Sequence, residues 1–407
     1  MRDRLLSATI MVGIAAAAAA GVAASVGTVS IDRAAAQAPA ASAMASTPAP
    51  KTPWGEPDLQ GIWTDEFDTP FQRPAKYANQ EFFTEAQRAE LDRERSALLS
   101  RRATDRELSG AYNLAAFTSS KHTGPRTSRI VDPPDGRVPP LTPAAAKAAA
   151  TDREYRLALL RATETCKTKL VQCRGGTYDP TPSPRLVEPP PRYLAANFGR
   201  INRYDGPEDG ALADRCLTLG LPEFGTAFGG SFRRIVQTPG GISMFYDVGQ
   251  GEGWQRNIVM TGSPHLPAGI RQWYGDSRGR WDGDTLVIDV TNFSPKTDFQ
   301  GSRENLHLIE RWTRTDANTL AYEVTIEDPT VWSRAWTVKQ EFSRQSEQEN
   351  RIYYEPRCVE GNASLPAMML AARLADRAYA AGKGIDPATK DNVSTLVDID
   401  TSVVREP

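Results

Sequence analysis

Between about residues 232 and 355, apolar and polar residues alternate in short runs, with turn signals about every ten residues. Period-two alternation without helical periodicity in between predicts strands. The expected runs are Phe232–Gln237, Ile242–Val248, Arg256–Thr261, Arg271–Tyr274, Thr285–Asn292, Leu306–Thr315, Leu320–Glu327, Ala335–Ser343 and Arg351–Tyr354. The predicted fold is mainly β: residues 231–360 form an antiparallel meander, either a lipocalin-like barrel or a strongly curved sheet. A two-sheet sandwich is the alternative.

The chain on either side has a different texture. Residues 53–230 read as an irregular, partly helical, Pro-rich segment packing on the sheet. Thr84-Glu85-Ala86-Gln87 is a capping-box pattern and opens a polar helix to about Arg106. Thr142-Pro143 opens a second helix to about Thr165, with Pro at the first helical position. Six prolines between Arg174 and Leu194 force an extended loop. Residues 361–407 are a C-terminal helix, from Pro366 to Ala381 and stopped by Gly382, and a tail.

The first residues predict export. Arg2 and Arg4 precede an apolar, Ala-rich run from Leu5 to Ala24, and Ala34-Ala35-Ala36 offers a small-residue cleavage site. That pattern marks residues 1–36 as a signal peptide, followed by a flexible leader over 37–52. An uncleaved anchor is the alternative, since the run is long. With cleavage, the mature chain is periplasmic or secreted and not stably inserted in a membrane.

Two hairpins can be read in register. The Asp282-Gly283 pair between strand-like flanks is a strong turn signal. Closing the hairpin there sets Arg280 against Thr285, Arg278 against Val287 and Asp276 against Asp289. Facing carboxylates repel. They share a proton, or an Arg neutralises them, or a bulge at Gly279 breaks the register; a shared proton would suit acid/base work. The second hairpin turns at Asp316-Ala317-Asn318 and pairs Trp312 with Tyr322, Leu308 with Ile326 and Glu310 with Val324 on one apolar face. The other face pairs Arg311 with Glu323 and His307 with Glu327. Glu310 on its apolar face is either an acid/base group of raised pKa or a strut tied to a buried Arg. His307–Glu327 is either an oriented dyad or a cross-strand surface pair.

Composition removes several function classes. Against 50 Asp and Glu stand 48 Lys and Arg, a formal charge of −2, and no basic run points to nucleic acid. With only three histidines, His122, His265 and His307, and four cysteines, there is no His/Cys metal framework. Cys166, Cys173, Cys216 and Cys358 suit two disulfides in an exported protein, with Cys166–Cys173 as a local clip and Cys216–Cys358 as a longer tie. There is no phosphate-cradling loop, dinucleotide fingerprint or nucleophile elbow, so no cofactor is expected. Six of the eight tryptophans lie between Trp254 and Trp336, which suits core packing or an aromatic-walled pocket.

The block from Trp273 to Asp289, WYGDSRGRWDGDTLVID, is distinctive. With Pro57-Asp58-Leu59-Gln60-Gly61-Ile62-Trp63, Leu306-His307-Leu308-Ile309-Glu310-Arg311, Glu327-Asp328-Pro329 and Cys358-Val359-Glu360-Gly361-Asn362, it resembles an uncharacterised family of exported bacterial proteins. The resemblance spans about residues 53 to 375 and implies no particular chemistry. Where the family pattern resembles D-G-R-x-H-P, this chain has Thr261-Gly262-Ser263-Pro264-His265-Leu266, keeping the histidine and losing the Asp and Arg.

The expected function is a cofactor-independent enzyme, a lyase, isomerase or hydrolase, acting on a hydrophobic or aromatic small molecule. Its acid/base candidates are Asp276, Asp289, His307 and Glu310. Trp254, Arg256, His265, Trp273, Arg278 and Arg311 are the substrate-binding candidates. The alternative is a non-catalytic, periplasmic, lipocalin-like protein that binds a hydrophobic ligand.

Overall fold

The computed structural model describes residues 50–65, 67–100, 122–161, 220–224, 232–249, 252–345 and 364–389, with a few isolated positions between them. Twelve strands lie among the described residues. The first four are β1 (Gly61–Thr64), β2 (Phe67–Asp68), β3 (His122–Thr123) and β4 (Ile130–Asp132). After them come β5 (Phe232–Thr238), β6 (Gly241–Gly249), β7 (Glu252–Val259) and β8 (Asp276–Asp282). The last are β9 (Thr285–Thr291), β10 (His307–Arg314), β11 (Thr319–Glu327) and β12 (Trp336–Arg344).

Strands β5 to β12 follow one another around a sheet, and β1 pairs with both β5 and β12, closing a barrel. Neighbours run antiparallel except β7 and β8, which touch in parallel at Val259 and Arg278. β4 adds to the outer edge of β12. A mainly β, closed-barrel fold is therefore observed. The closing strand comes from the N-terminal stretch that patterning read as irregular, because four residues are too few for alternation to register.

Alternation sets the two surfaces of the wall. Along β10 and β11 every second residue is buried, including Leu308, Glu310, Trp312, Leu320, Tyr322, Val324 and Ile326. These join Trp63, Met244, Tyr246, Ile258, Leu286, Ile288 and Phe342 in one core inside the barrel. The apolar face is thus the interior, and the face of His307, Ile309 and Arg311 is the outer wall. Trp312 packs against Tyr322, with ring centroids 4.2 Å apart, and against Phe342.

The second hairpin has the expected register, Trp312 against Tyr322 and His307 against Glu327. The first is shifted by two residues. Asp282 pairs with Thr285, Arg280 with Val287 and Arg278 with Asp289, so Asp276 faces Thr291 and not Asp289. The turn places Gly283, at φ 60°, first in a two-residue loop, where a left-handed residue matches the twist of the flanking strands. An even shift keeps every side chain on its face but changes its partner.

The expected run Arg271–Tyr274 is a turn with one bridge from Gln272 to Phe293, and the strand starts after Gly275. Gly275 has φ 65° and lies against the wall; a Cβ there would stand 2.6 Å from the Thr291 carbonyl oxygen. The expected run Arg351–Tyr354 lies outside the described residues.

Three α-helices are described. α1 (Glu85–Ser100) starts with a reciprocal capping box: Thr84 N–H donates to Gln87 Oε1, and Gln87 N–H donates to Thr84 Oγ1. α2 (Pro143–Arg161) is capped by the Thr142 hydroxyl. α3 (Ser364–Ala380) ends in a Schellman turn at Gly382, where Lys383 N–H reaches back to the Ala378 carbonyl. Among the described residues, no helix is long and apolar enough to cross a membrane.

Candidate functional site

The candidate residues fall into two groups on opposite sides of the wall. On the outer side, the loop after β7 brings His265 down onto β8 and β9. His265 Nδ1 lies 2.8 Å from Asp276 Oδ2, and its Nε2 lies 3.0 Å from Asp289 Oδ1. The same Asp289 oxygen is 3.2 Å from His307 Nε2, and His307 Nδ1 is 3.0 Å from Glu327 Oε2. Arg278, across from Asp289, donates from Nε to Asp276 at 3.0 Å. Leu266 N–H also donates to Asp276, and Asn292 Nδ2 donates to the Leu266 carbonyl, so the loop is pinned at three points.

Three basic side chains and three carboxylates thus form a chain: Arg278, Asp276, His265, Asp289, His307, Glu327. A carboxylate only accepts hydrogen bonds. Each imidazole meets a carboxylate at both nitrogens. In that arrangement neither ring keeps a nitrogen free to take a proton from a substrate. The Asp276–Asp289 repulsion expected from the sequence is relieved by Arg278 and by His265 between them.

The hydrogen bond to Asp289 leads in holding His307 above its ordinary value of 6.5, and the bond from His307 leads in holding Asp289 below 3.8. His307 therefore contributes stability that is full below about pH 6.5 and is lost as pH rises through its raised folded value. Asp289 contributes stability present above about pH 3.8 and lost as pH falls through its lowered value. The expected result is a shared optimum between about pH 4 and 6.5. These groups are about a third exposed, so solvent screening limits the effect to about 1 kcal/mol or less. Melting curves of wild type and His307→Gln from pH 5 to 9 should differ most at the acid end and converge at the alkaline end. Parallel curves would show that the chain does not titrate in this way.

The inner group surrounds Glu310. Its carboxylate pairs with Arg256 from β7 and accepts the Tyr322 hydroxyl at 2.8 Å. Glu310 is 0% exposed and Arg256 3%. Burial alone would lower the Arg256 pKa, but the charge and hydrogen bond of Glu310 together with Tyr246 and Tyr322 more than offset it, so the net shift is upward and the guanidinium stays charged. Burial pushes Tyr246 up to about 12, and burial with the Glu310 charge lifts Tyr322 well above its ordinary value. Both phenols therefore remain protonated. A second buried pair, Arg233 with Glu223, lies nearby, with the Arg233 guanidinium over the Tyr246 and Phe342 rings.

Several donors in this interior are left over, Trp336 Nε1 among them. Arg256 Nε and Nη1 and Trp312 Nε1 are buried with no hydrogen-bond partner among the described residues, and the Gln340 Oε1 acceptor is in the same position. Buried polar groups are normally satisfied, so an exception of this kind marks a place of interest.

Of the remaining candidates, Trp254 is opposite Tyr246 and two residues from Arg256, on the interior-facing register. Trp273 is half-buried in the turn before β8 and enters neither network. Arg311 is on the outer wall, bonded to Asp282 at 2.9 Å, at a groove of about 450 Å³ that Thr313, Glu323 and Lys339 also line. Cys166 is buried; Cys173, Cys216 and Cys358 lie outside the described residues, and with them the expected pairings. Sequence reasoning missed Tyr322 as a partner of Glu310. The register contained that signal, because Tyr322 is diagonal to Glu310 on the same face.

No family model matches the chain, and no curated protein does. Solved structures that align with it include a "secretary abundant heat soluble (SAHS)" protein from Ramazzottius varieornatus. That protein is 12% identical, with 29% of this chain and 73% of that one covered, and the TM-score is 0.21. A point mutant of the fluorescent protein UnaG is 13% identical, with the same two coverages and a TM-score of 0.19.

Proposed function

We propose that this protein is an exported barrel that binds an apolar small molecule in its aromatic-walled interior and releases it unchanged. The observation that carries this reading is Arg256. A fixed cation at the centre of an apolar core, with two donors unpartnered beside the rings of Trp312, Tyr322 and Tyr246, suits a pocket that orients an apolar ligand by a few polar contacts. Export is supported by the basic start, apolar run and small-residue site of residues 1–36. The catalytic alternative draws less support, since the buried carboxylate is spoken for by Arg256 and Tyr322 and both outer imidazoles are bonded at each nitrogen.

The test is a titration with 1-aminoanthracene, a neutral aromatic fluorophore, read by its own emission and by quenching of tryptophan. Saturable one-to-one binding is expected, with the probe recovered at unchanged mass after long incubation. Failure to saturate would overturn the binding reading. Recovery of a chemically altered molecule would return the protein to the enzymes.

A further inference from the structure

The interior has a charge balance that restricts its ligand further, an inference that rests on the binding reading above. Arg256 is matched by Glu310 and Arg233 by Glu223, each as a buried pair. Arg314, the third buried arginine facing inward, is held by the backbone carbonyls of Asp58, Asp316 and Ala317, with the Asp58 carboxylate 3.9 Å away. No cation among these is left without a compensating partner. What is left over around Arg256 includes hydrogen-bonding capacity without further charge: Arg256 Nε, Arg256 Nη1 and Trp312 Nε1 as donors, and Gln340 Oε1 as an acceptor, with Trp336 Nε1 a further donor elsewhere in the core.

The donors belong to one cluster. Trp312 packs at a tilt against Tyr322, whose hydroxyl donates to the Glu310 carboxylate that Arg256 also holds. We infer that the ligand is an uncharged, largely apolar molecule carrying a carbonyl or similar oxygen acceptor, which Arg256 and Trp312 receive. A carboxylate ligand would add an unmatched negative charge to an interior whose cations are already paired, and buried charge without a partner is strongly disfavoured. A pure hydrocarbon would leave the donors unmet, also at a cost. A ketone, ester or amide meets them and adds no charge.

Competition against bound 1-aminoanthracene tests this, using 2-dodecanone, dodecanoate at pH 8 and n-dodecane. The ketone is expected to displace the probe at a concentration at least tenfold lower than either of the others. In the charge-neutral double variant Arg256→Met/Glu310→Leu, that preference should collapse to within about twofold. Displacement by dodecanoate or dodecane as good as by the ketone, displacement by none of the three, or a preference that survives in the double variant overturns the inference while the barrel still binds its probe. Failure of wild type to bind 1-aminoanthracene at all overturns the binding reading instead.

Discussion

Glu310→Leu is expected to lower the unfolding free energy by about 3–5 kcal/mol, the usual cost of removing one partner from a buried ion pair. Arg256 is 3% exposed, and its guanidinium does not deprotonate to escape the problem. The substitution also takes the acceptor from the Tyr322 hydroxyl, adding an unsatisfied donor to a wall with no solvent access. Arg256→Met/Glu310→Leu should recover most of the loss, because exchanging a whole buried pair for apolar side chains is often neutral or better. Urea unfolding of the two singles and the double closes a mutant cycle. A cost below about 1 kcal/mol for Glu310→Leu would mean that Arg256 does not depend on it. With the double variant stable, loss of ligand preference can be read apart from loss of fold.

Gly275→Ala is expected to cost about 2–5 kcal/mol. Holding an alanine in the left-handed region takes about 1–2 kcal/mol, and forcing extra atoms into a packed wall about 1–3 more. The new Cβ would meet the Thr291 carbonyl oxygen at 2.6 Å and Val290 Cγ1 at 2.9 Å, and the first is backbone that cannot swing aside. Gly283→Ala is the control: φ is 60° there too, but a Cβ meets nothing within 4 Å, so only the conformational part, about 1–2 kcal/mol, remains. Thermal or urea unfolding should rank the two clearly. Equal costs would show that the approach of Gly275 to β9 is not tight in solution. Because Asp276 follows directly and anchors His265 beside Asp289, Gly275→Ala should also weaken the pH dependence that His307 and Asp289 give the outer wall.

What the sequence disclosed depended on how local the determining contacts are. The β10–β11 hairpin was readable to the residue, because Asp316-Ala317-Asn318 fixes the turn and eight alternating positions leave one face apolar. The β8–β9 hairpin was misplaced by two, because Asp282-Gly283-Asp284 admits two loop placements and both put the same residues outside. That small error decided the chemistry: Arg278, not Asp276, faces Asp289. The pairing of Glu310 with Arg256 joins β10 to β7 across the interior, and no hairpin register reports on strands that are not neighbours. The descent of His265 onto Asp276 and Asp289 depends on the path of a loop, which hydrophobic patterning does not encode.

The seam at β1 has a consequence for how the molecule is made. β1 lies at residues 61–64, yet its partners are β5 at 232–238 and β12 at 336–344. The strand that emerges early from the ribosome therefore waits until more than half of the chain has been made for β5, and most of it for β12. Pairings of such sequence separation form slowly, since the loop must be closed before any contact rewards it. Until then β5 and β12 are open edges of an apolar sheet, the kind of surface that recruits other chains. The chain is therefore most exposed to aggregation in the interval before its first strand finds its last.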